Sequence, residues 1–225
     1  MFTPENILVW VIRLVIVLIA LTFHEFAHGY AAYKMGDPTA KAMGRLSLNP
    51  LSHLNPIGFF SMLFFGFGWA NPVPIYAQNF KNPKRGMAIS AFAGPFANLL
   101  LAFASTLVTE ILLLIPLYEQ NFAYRLVSAA YLFFELMTLL NISLAIFNLI
   151  PVPPLDGSRI LPLFLPQKAY FGIMRYEKYI GIGFFVFLLL DSRLGLGVID
   201  TVLGTAVNAV YSAMHWVWEL LPFFG

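Results

Sequence analysis

Residues 11–33 read VIRLVIVLIALTFHEFAHGYAAY. The run is long and apolar enough to cross a bilayer as one helix, since a spanning helix needs about 20 mostly apolar residues. It carries His24, Glu25 and His28 in the pattern H-E-x-x-H, which places two imidazoles one helical turn apart on one face. Ionisable groups at such depth are costly and usually functional. The stretch therefore predicts a membrane helix that binds a metal ion.

The composition of the whole chain agrees with a membrane location. Of its 225 residues, 60% are hydrophobic and only 11% are charged, and the mean hydropathy is +0.78. Soluble domains carry about 25% charged residues. The chain has no cysteine, so a zinc ion would have to be held by His and carboxylate groups. We expect an all-α polytopic membrane protein with no appended soluble module.

Apolar runs predict about five full transmembrane helices and a shorter element. The candidate spans are about 7–33, 87–116, 123–150, 174–190 and 197–221. The Gly-rich run 57–70 is too short for a span and predicts a re-entrant or half helix, which is tolerated only where it is buried or lines a wet cavity.

A small extended or β segment is expected over 69–80, because Pro72 and Pro74 flank an alternating pattern. All of these elements are assigned to one transmembrane domain, residues 1–225. Its catalytic core is about 7–160, and additional helices follow at about 174–221.

Basic residues predict the orientation. Ten of them fall within 34–86 and 151–178: Lys34, Lys41, Arg45, Lys81, Lys84, Arg85, Arg159, Lys168, Arg175 and Lys178. The positive-inside rule then places both regions on the cytoplasmic face and the N-terminus outside. The compact chain with short loops suggests the cytoplasmic (inner) membrane of a prokaryote, with the active site toward the cytoplasm.

A catalytic zinc ion takes three protein ligands and keeps one open position, so the two histidines need a third partner. Asp156 lies in the stretch NLIPVPPLDGSRI, residues 148–160, at the end of a span on the same predicted face. The prolines would break the helix, and Gly157 permits an unusual backbone angle. From spacing alone, a ligand and an ordinary Asp-Gly turn are about equally favoured. The other candidates are His53, His215, Glu110 and Glu135.

Four blocks, in order, give the chain a specific resemblance: HEFAH (24–28), GDPTAKAMGRLSLNPLSHLNPIG (36–58), GPFAN (94–98) and NLIPVPPLDGSRI. Together they resemble the site-2 protease family of intramembrane zinc metalloproteases. We expect a compact form of this family, without the PDZ insertion or the nucleotide-binding domain of larger members.

The resemblance implies one Zn²⁺ per chain, held by His24, His28 and Asp156. It also implies Glu25 as the general base that acts on a zinc-bound water. Asn148 would lie near the zinc, where its amide could stabilise an oxyanion. The alternative for Asn148 is a helix-terminal residue that satisfies backbone groups.

The implied activity is hydrolysis of peptide bonds within or near transmembrane segments of single-span membrane proteins, in the lipid bilayer and without nucleic acid. His53 could be a loop residue, a proton relay or a transient ligand, and we favour a structural role. The GPFAN segment is expected to support close helix packing. Two rival functions remain at this stage, a polytopic transporter and a membrane zinc hydrolase with a non-peptide substrate.

Overall fold

The computed structural model describes residues 4–55, 57–58, 71–116, 121–166, 172 and 175–222. Within these residues the chain is predominantly helical and contains no β-strand, only an isolated bridge at Leu54. The expected all-α membrane fold is confirmed.

Five long helices form the body of the protein. They are α1 (Pro4–Met35), α4 (Pro83–Leu113), α5 (Phe122–Leu149), α7 (Glu177–Leu194) and α8 (Val198–Glu219). Short helices lie between them: α2 (Thr39–Ala42), α3 (Pro50–His53) and α6 (Gly157–Ile160). Two 3-10 turns, Ala77–Asn79 and Leu161–Leu163, complete the described elements.

The number of membrane spans differs from the expected five. In the described residues, three helices are long and apolar enough to cross a membrane: Val9–Met35 of α1, α4 and α5. The pair α7 and α8 passes the same test only when taken together, and it is bent by 96°. The count is therefore three, or four if the bent pair is one broken span, and five is not confirmed.

The bend between α7 and α8 has a local cause. Gly195 and Gly197 adopt φ angles of +64° and +66°, a left-handed conformation that favours glycine. The buried carboxylate of Asp191 accepts hydrogen bonds from Val198 N and Ile199 N at 3.0 and 3.2 Å. These bonds satisfy two of the free N–H groups that begin α8. The break is thus a capped turn.

The helix α4 lies at the centre of the fold, packed against both α1 and α5. Small buried residues along α4, among them Ala88, Ala91, Gly94 and Ala102, allow the neighbouring backbones to approach closely. The helix α8 packs mainly on α5, where Val207 joins a core formed with Ala102 and Ile142.

Residues 71–76 belong to no helix and no strand, so the expected extended or β segment is not confirmed. Pro72 and Pro74 have no N–H to offer a ladder. Side chains and loop carbonyls bind the segment instead. Asn71 N donates to His53 O at 2.8 Å, and Arg45 Nη2 donates to Asn71 O at 2.6 Å. Of the short run expected over 57–70, all but residues 57 and 58 lies outside the described residues.

Candidate metal centre

Helix α1 presents His24 and His28 to the interior, where both are buried. Their Nε2 atoms lie 3.0 Å apart. Asp156 lies at the start of α6. Its Oδ2 atom is 3.1 Å from His24 Nε2 and 3.3 Å from His28 Nε2. Among the described residues, these three form the group of His and carboxylate side chains whose ligand atoms converge closely enough to hold a metal ion.

The three ligand atoms fit a zinc ion. In a tetrahedral site with bonds of about 2.0–2.1 Å, ligand atoms are separated by about 3.3 Å. The separations of 3.0, 3.1 and 3.3 Å are close to that edge length. The Oδ2 atom of Asp156 is also buried with no hydrogen-bond partner in the described part of the chain. A buried charged oxygen without a partner is costly, and a bound cation would satisfy it.

Helix α4 approaches the two histidines through Gly94. A Cβ at Gly94 would lie 2.4 Å from His28 Nε2 and 2.8 Å from His24 Cε1, so no side chain fits there. Pro95 weakens the bonding of α4 in the preceding turn. In that turn the carbonyl of Ser90 accepts a hydrogen bond from His28 Nδ1 at 2.7 Å.

Asp156 reaches the site because the chain turns back sharply after α5. A Cβ at Gly157 would lie 2.3 Å from Leu149 O and 2.5 Å from Ile150 O. The expectation of an unusual backbone angle at Gly157 is wrong, because its φ is not among the positive ones. Glycine is required there for the close approach to two carbonyls. Asp156 stands at the N-cap of α6 without a side-chain capping bond, which leaves its carboxylate to the histidines.

Glu25 is buried beside the histidines, and its Oε2 atom accepts a hydrogen bond from Val73 N at 2.8 Å. Val73 belongs to segment 71–76. The segment therefore passes directly over the carboxylate that the sequence predicts to be the base.

Asn148 and His53 occupy different surroundings. Asn148 is half-buried near the end of α5, and its Nδ2 donates to Leu144 O at 3.0 Å. No described contact joins it to the three ligand residues. His53 is 2% exposed, with Nε2 2.8 Å from Ser47 O, and it lies outside the metal-binding group.

The remaining acidic candidates pair with α8. Glu110 Oε1 lies 2.5 Å from His215 Nδ1, and Glu135 Oε1 accepts from Tyr211 Oη at 2.8 Å. Both carboxylates are thus bound to neighbouring side chains in another part of the fold.

Sequence reasoning did not assign a site role to two buried asparagines. Asn98 Oδ1 lies 2.6 Å from His24 Nδ1, and Asn98 Nδ2 donates to Asn141 Oδ1 at 2.8 Å. Asn98 was expected only to support packing, and Asn141 was not singled out. The available signal was a polar side chain within each apolar span, because such residues are often functional.

Two buried histidines, a half-buried aspartate and an adjoining buried glutamate, set among apolar helices, define the class as a membrane metalloenzyme. Comparison with known proteins narrows this class. The model of peptidase family M50 matches residues 115–190. The chain is 41% identical to YwhC of Bacillus subtilis, named as a zinc metalloprotease, over 77% of this chain and 76% of that protein.

More distant relatives carry similar names. The Rip2 protein of Mycolicibacterium smegmatis is 31% identical over 62% of this chain and 52% of its own length. The zinc metalloprotease MJ0392 of Methanocaldococcus jannaschii is 25% identical over 87% of this chain and 47% of its own. No solved structure gives a significant match. The chain belongs to peptidase family M50, the site-2 protease family, and is a membrane zinc metalloprotease.

Proposed function

We propose that this protein is an intramembrane zinc metalloendopeptidase that hydrolyses peptide bonds within or near transmembrane segments of single-span membrane proteins. One observation carries the proposal: the buried His24 and His28 and the half-buried Asp156 converge beside Glu25, among apolar helices. Such a site can reach a substrate segment that lies in the bilayer.

The residues of the chain divide the chemistry among them. His24, His28 and Asp156 would hold the zinc, which when bound supplies a Lewis acid and makes water nucleophilic near neutral pH. Glu25 takes up a proton from the attacking water and returns one to the leaving amine. Val73 N–H binds Oε2 of Glu25, so Oε1 is the oxygen that we assign to proton transfer.

Asn148 is our candidate for the oxyanion donor. A side-chain amide has two N–H groups, and the bond to Leu144 O uses one of them. The second would act on the negative charge that develops on the scissile carbonyl oxygen.

Segment 71–76 is our candidate for substrate pairing. A helix in lipid satisfies all its backbone groups internally, so a scissile bond must first be unwound. An unwound segment gains hydrogen bonds when it pairs with an extended chain. Segment 71–76 runs over Glu25, which would bring a paired substrate to the metal.

The site is assigned to the cytoplasmic half of a prokaryotic inner membrane. This proposal rests on the basic residues of 34–86 and 151–178. Asp156 and the C-terminal end of α1 both adjoin these regions.

Membrane proteomics tests the proposed substrate class. Cells that carry the parent are compared with cells that carry Glu25→Gln, and single-span proteins are expected to accumulate uncut only with the variant. Glu135→Gln is the matched control, because it changes a membrane carboxylate that pairs with Tyr211 away from the metal-binding group. Identical peptide patterns with parent and Glu25→Gln, alongside an altered lipid profile, would favour a non-peptide hydrolase.

A further inference from the structure

Behind His24 lies a pair of buried amides that joins three helices. Asn98 of α4 and Asn141 of α5 are both 0% exposed. Asn98 Oδ1 lies 2.6 Å from His24 Nδ1, and Asn98 Nδ2 lies 2.8 Å from Asn141 Oδ1 and 3.2 Å from Ala20 O. Asn141 Nδ2 in turn donates to Met137 O at 2.8 Å.

Backbone carbonyls dictate the orientation of both amides. A carbonyl oxygen can only accept, so Met137 O requires the NH₂ group of Asn141, and Ala20 O requires that of Asn98. With either amide reversed, two oxygen atoms would face each other in a dry interior, where unpaired polar groups are costly. Asn98 therefore presents its oxygen to His24.

The orientation of Asn98 determines which nitrogen of His24 carries the proton. An amide oxygen accepts only, so the proton lies on His24 Nδ1, and Nε2 keeps a free lone pair. That Nε2 atom is the one that faces His28 Nε2 and Asp156 Oδ2. Metal-binding histidines are commonly fixed in this way by a partner of the other ring nitrogen.

We propose that Asn141 and Asn98 are positioning residues that form an amide relay, fixing the Nδ1-protonated tautomer and the ring plane of His24 for metal binding. The proposal rests on the zinc site of the proposed function. His28 needs no such relay, because its Nδ1 is bound by the carbonyl of Ser90. A side chain thus orients His24, whereas a backbone carbonyl orients His28. Of these two partners, a substitution can remove only the one that orients His24.

The test is the apparent zinc dissociation constant of the full chain in detergent, measured by competition with a chelator. Loss of such a partner typically weakens metal binding by 10–100-fold, and we expect about that loss for Asn98→Leu, which fills the space without an acceptor. Asn98→Asp keeps an oxygen for His24 Nδ1 and should bind zinc more tightly than Asn98→Leu, although its second oxygen would face Asn141 Oδ1 and Ala20 O. Asn141→Leu should weaken binding less than Asn98→Leu, because Ala20 O still orients Asn98.

Thr138→Val is the matched control, since Thr138 is a buried polar residue on α5 whose hydroxyl, among the described residues, bonds only to Phe134 O of its own helix. It should bind zinc as the parent does. Folded Asn98→Leu with the parental dissociation constant would overturn the relay. If Asn98→Leu fails to fold, Asn141→Leu provides the test. An Asn141→Leu protein that binds zinc as tightly as Thr138→Val would overturn the relay. A parent that binds no zinc would instead contradict the proposed function.

Discussion

Gly94 decides whether helix α4 can lie against His24 and His28, the proposed metal ligands. A Cβ there would overlap His28 Nε2 at 2.4 Å and His28 Cε1 at 2.5 Å. Alanine is a better helix former than glycine by about 1 kcal/mol. Any harm from Gly94→Ala must therefore come from displaced imidazoles rather than from a weaker helix.

We predict that Gly94→Ala lowers zinc affinity by at least about 10-fold, the scale seen when ligand orientation is lost. Gly183→Ala in α7 is the control, because a Cβ there meets nothing within 4 Å. Chelator competition on both variants provides the measurement. Equal zinc affinity in the two would show that the imidazoles tolerate the displacement.

At the residue scale, the sequence predicts the proposed metal ligands but not the residues that orient them. The spacing of His24 and His28 follows from helical periodicity alone. Asp156 could be assigned only through the family resemblance, since an Asp-Gly pair is common in turns. The relay from Asn141 to His24 depends on which faces of three helices pack together, and no local sequence pattern predicts that packing.

Segment 71–76 and the 3-10 turn Ala77–Asn79 are held by the loop that follows α1, chiefly through Asp37. The Asp37 carboxylate is 0% exposed. Its oxygens accept bonds from Tyr76 N, from Asn79 Nδ2, and from the backbone and hydroxyl of Thr39, at 2.5–3.0 Å. Burial alone would raise the pKa of Asp37, but these donors lower it below its ordinary value. The ionised carboxylate thus ties the segment over Glu25.

We predict that Asp37→Asn destabilises the protein by about 1–3 kcal/mol near neutral pH, because donors that faced a carboxylate lose their acceptor. A lowered folded-state pKa means that the stabilisation is present above the unfolded pKa of about 3.9 and is lost as pH falls through the folded value. Thermal unfolding in detergent should show a difference in stability between the parent and Asp37→Asn. This difference should be constant above about pH 5 and should shrink below about pH 4.

The exposed Asp200→Asn serves as the control and should behave like the parent across this range. A gap between parent and Asp37→Asn that does not change in acid would contradict the role of the charged carboxylate.

Helices could be predicted where the length of an apolar run determines their bounds. The expected spans at 7–33, 87–116 and 123–150 correspond to α1, α4 and α5 within a few residues. Over 174–221 the composition predicted two full spans, because hydropathy carries no information on the angle between consecutive helices. The 96° bend arises from two left-handed glycines and the cap by Asp191.

At the scale of the whole molecule, polar contacts attach α8 to α4 and α5. His215 and Tyr211 bind Glu110 and Glu135, and Trp218 Nε1 donates to Thr106 Oγ1 at 2.8 Å. These bonds give both carboxylates a polar partner on α8. They join α8 to α4 and α5.

The proposed orientation gives a direct prediction, because the chain has no cysteine of its own. Lys84 and Arg125 are both exposed, at the starts of α4 and α5. In intact cells, an impermeant maleimide should label Arg125→Cys but should label Lys84→Cys only after the membrane is opened. The reverse pattern would place the metal centre on the outer side.

Zinc content of the purified protein in detergent tests the central claim most directly, namely that His24, His28 and Asp156 hold a catalytic zinc beside Glu25. We predict about one zinc per chain for the parent and for Glu25→Gln, which changes the base but no ligand. Asp156→Ala should fall well below that level. Asp156→Ala with parental zinc content, or a parent without zinc, would contradict the account.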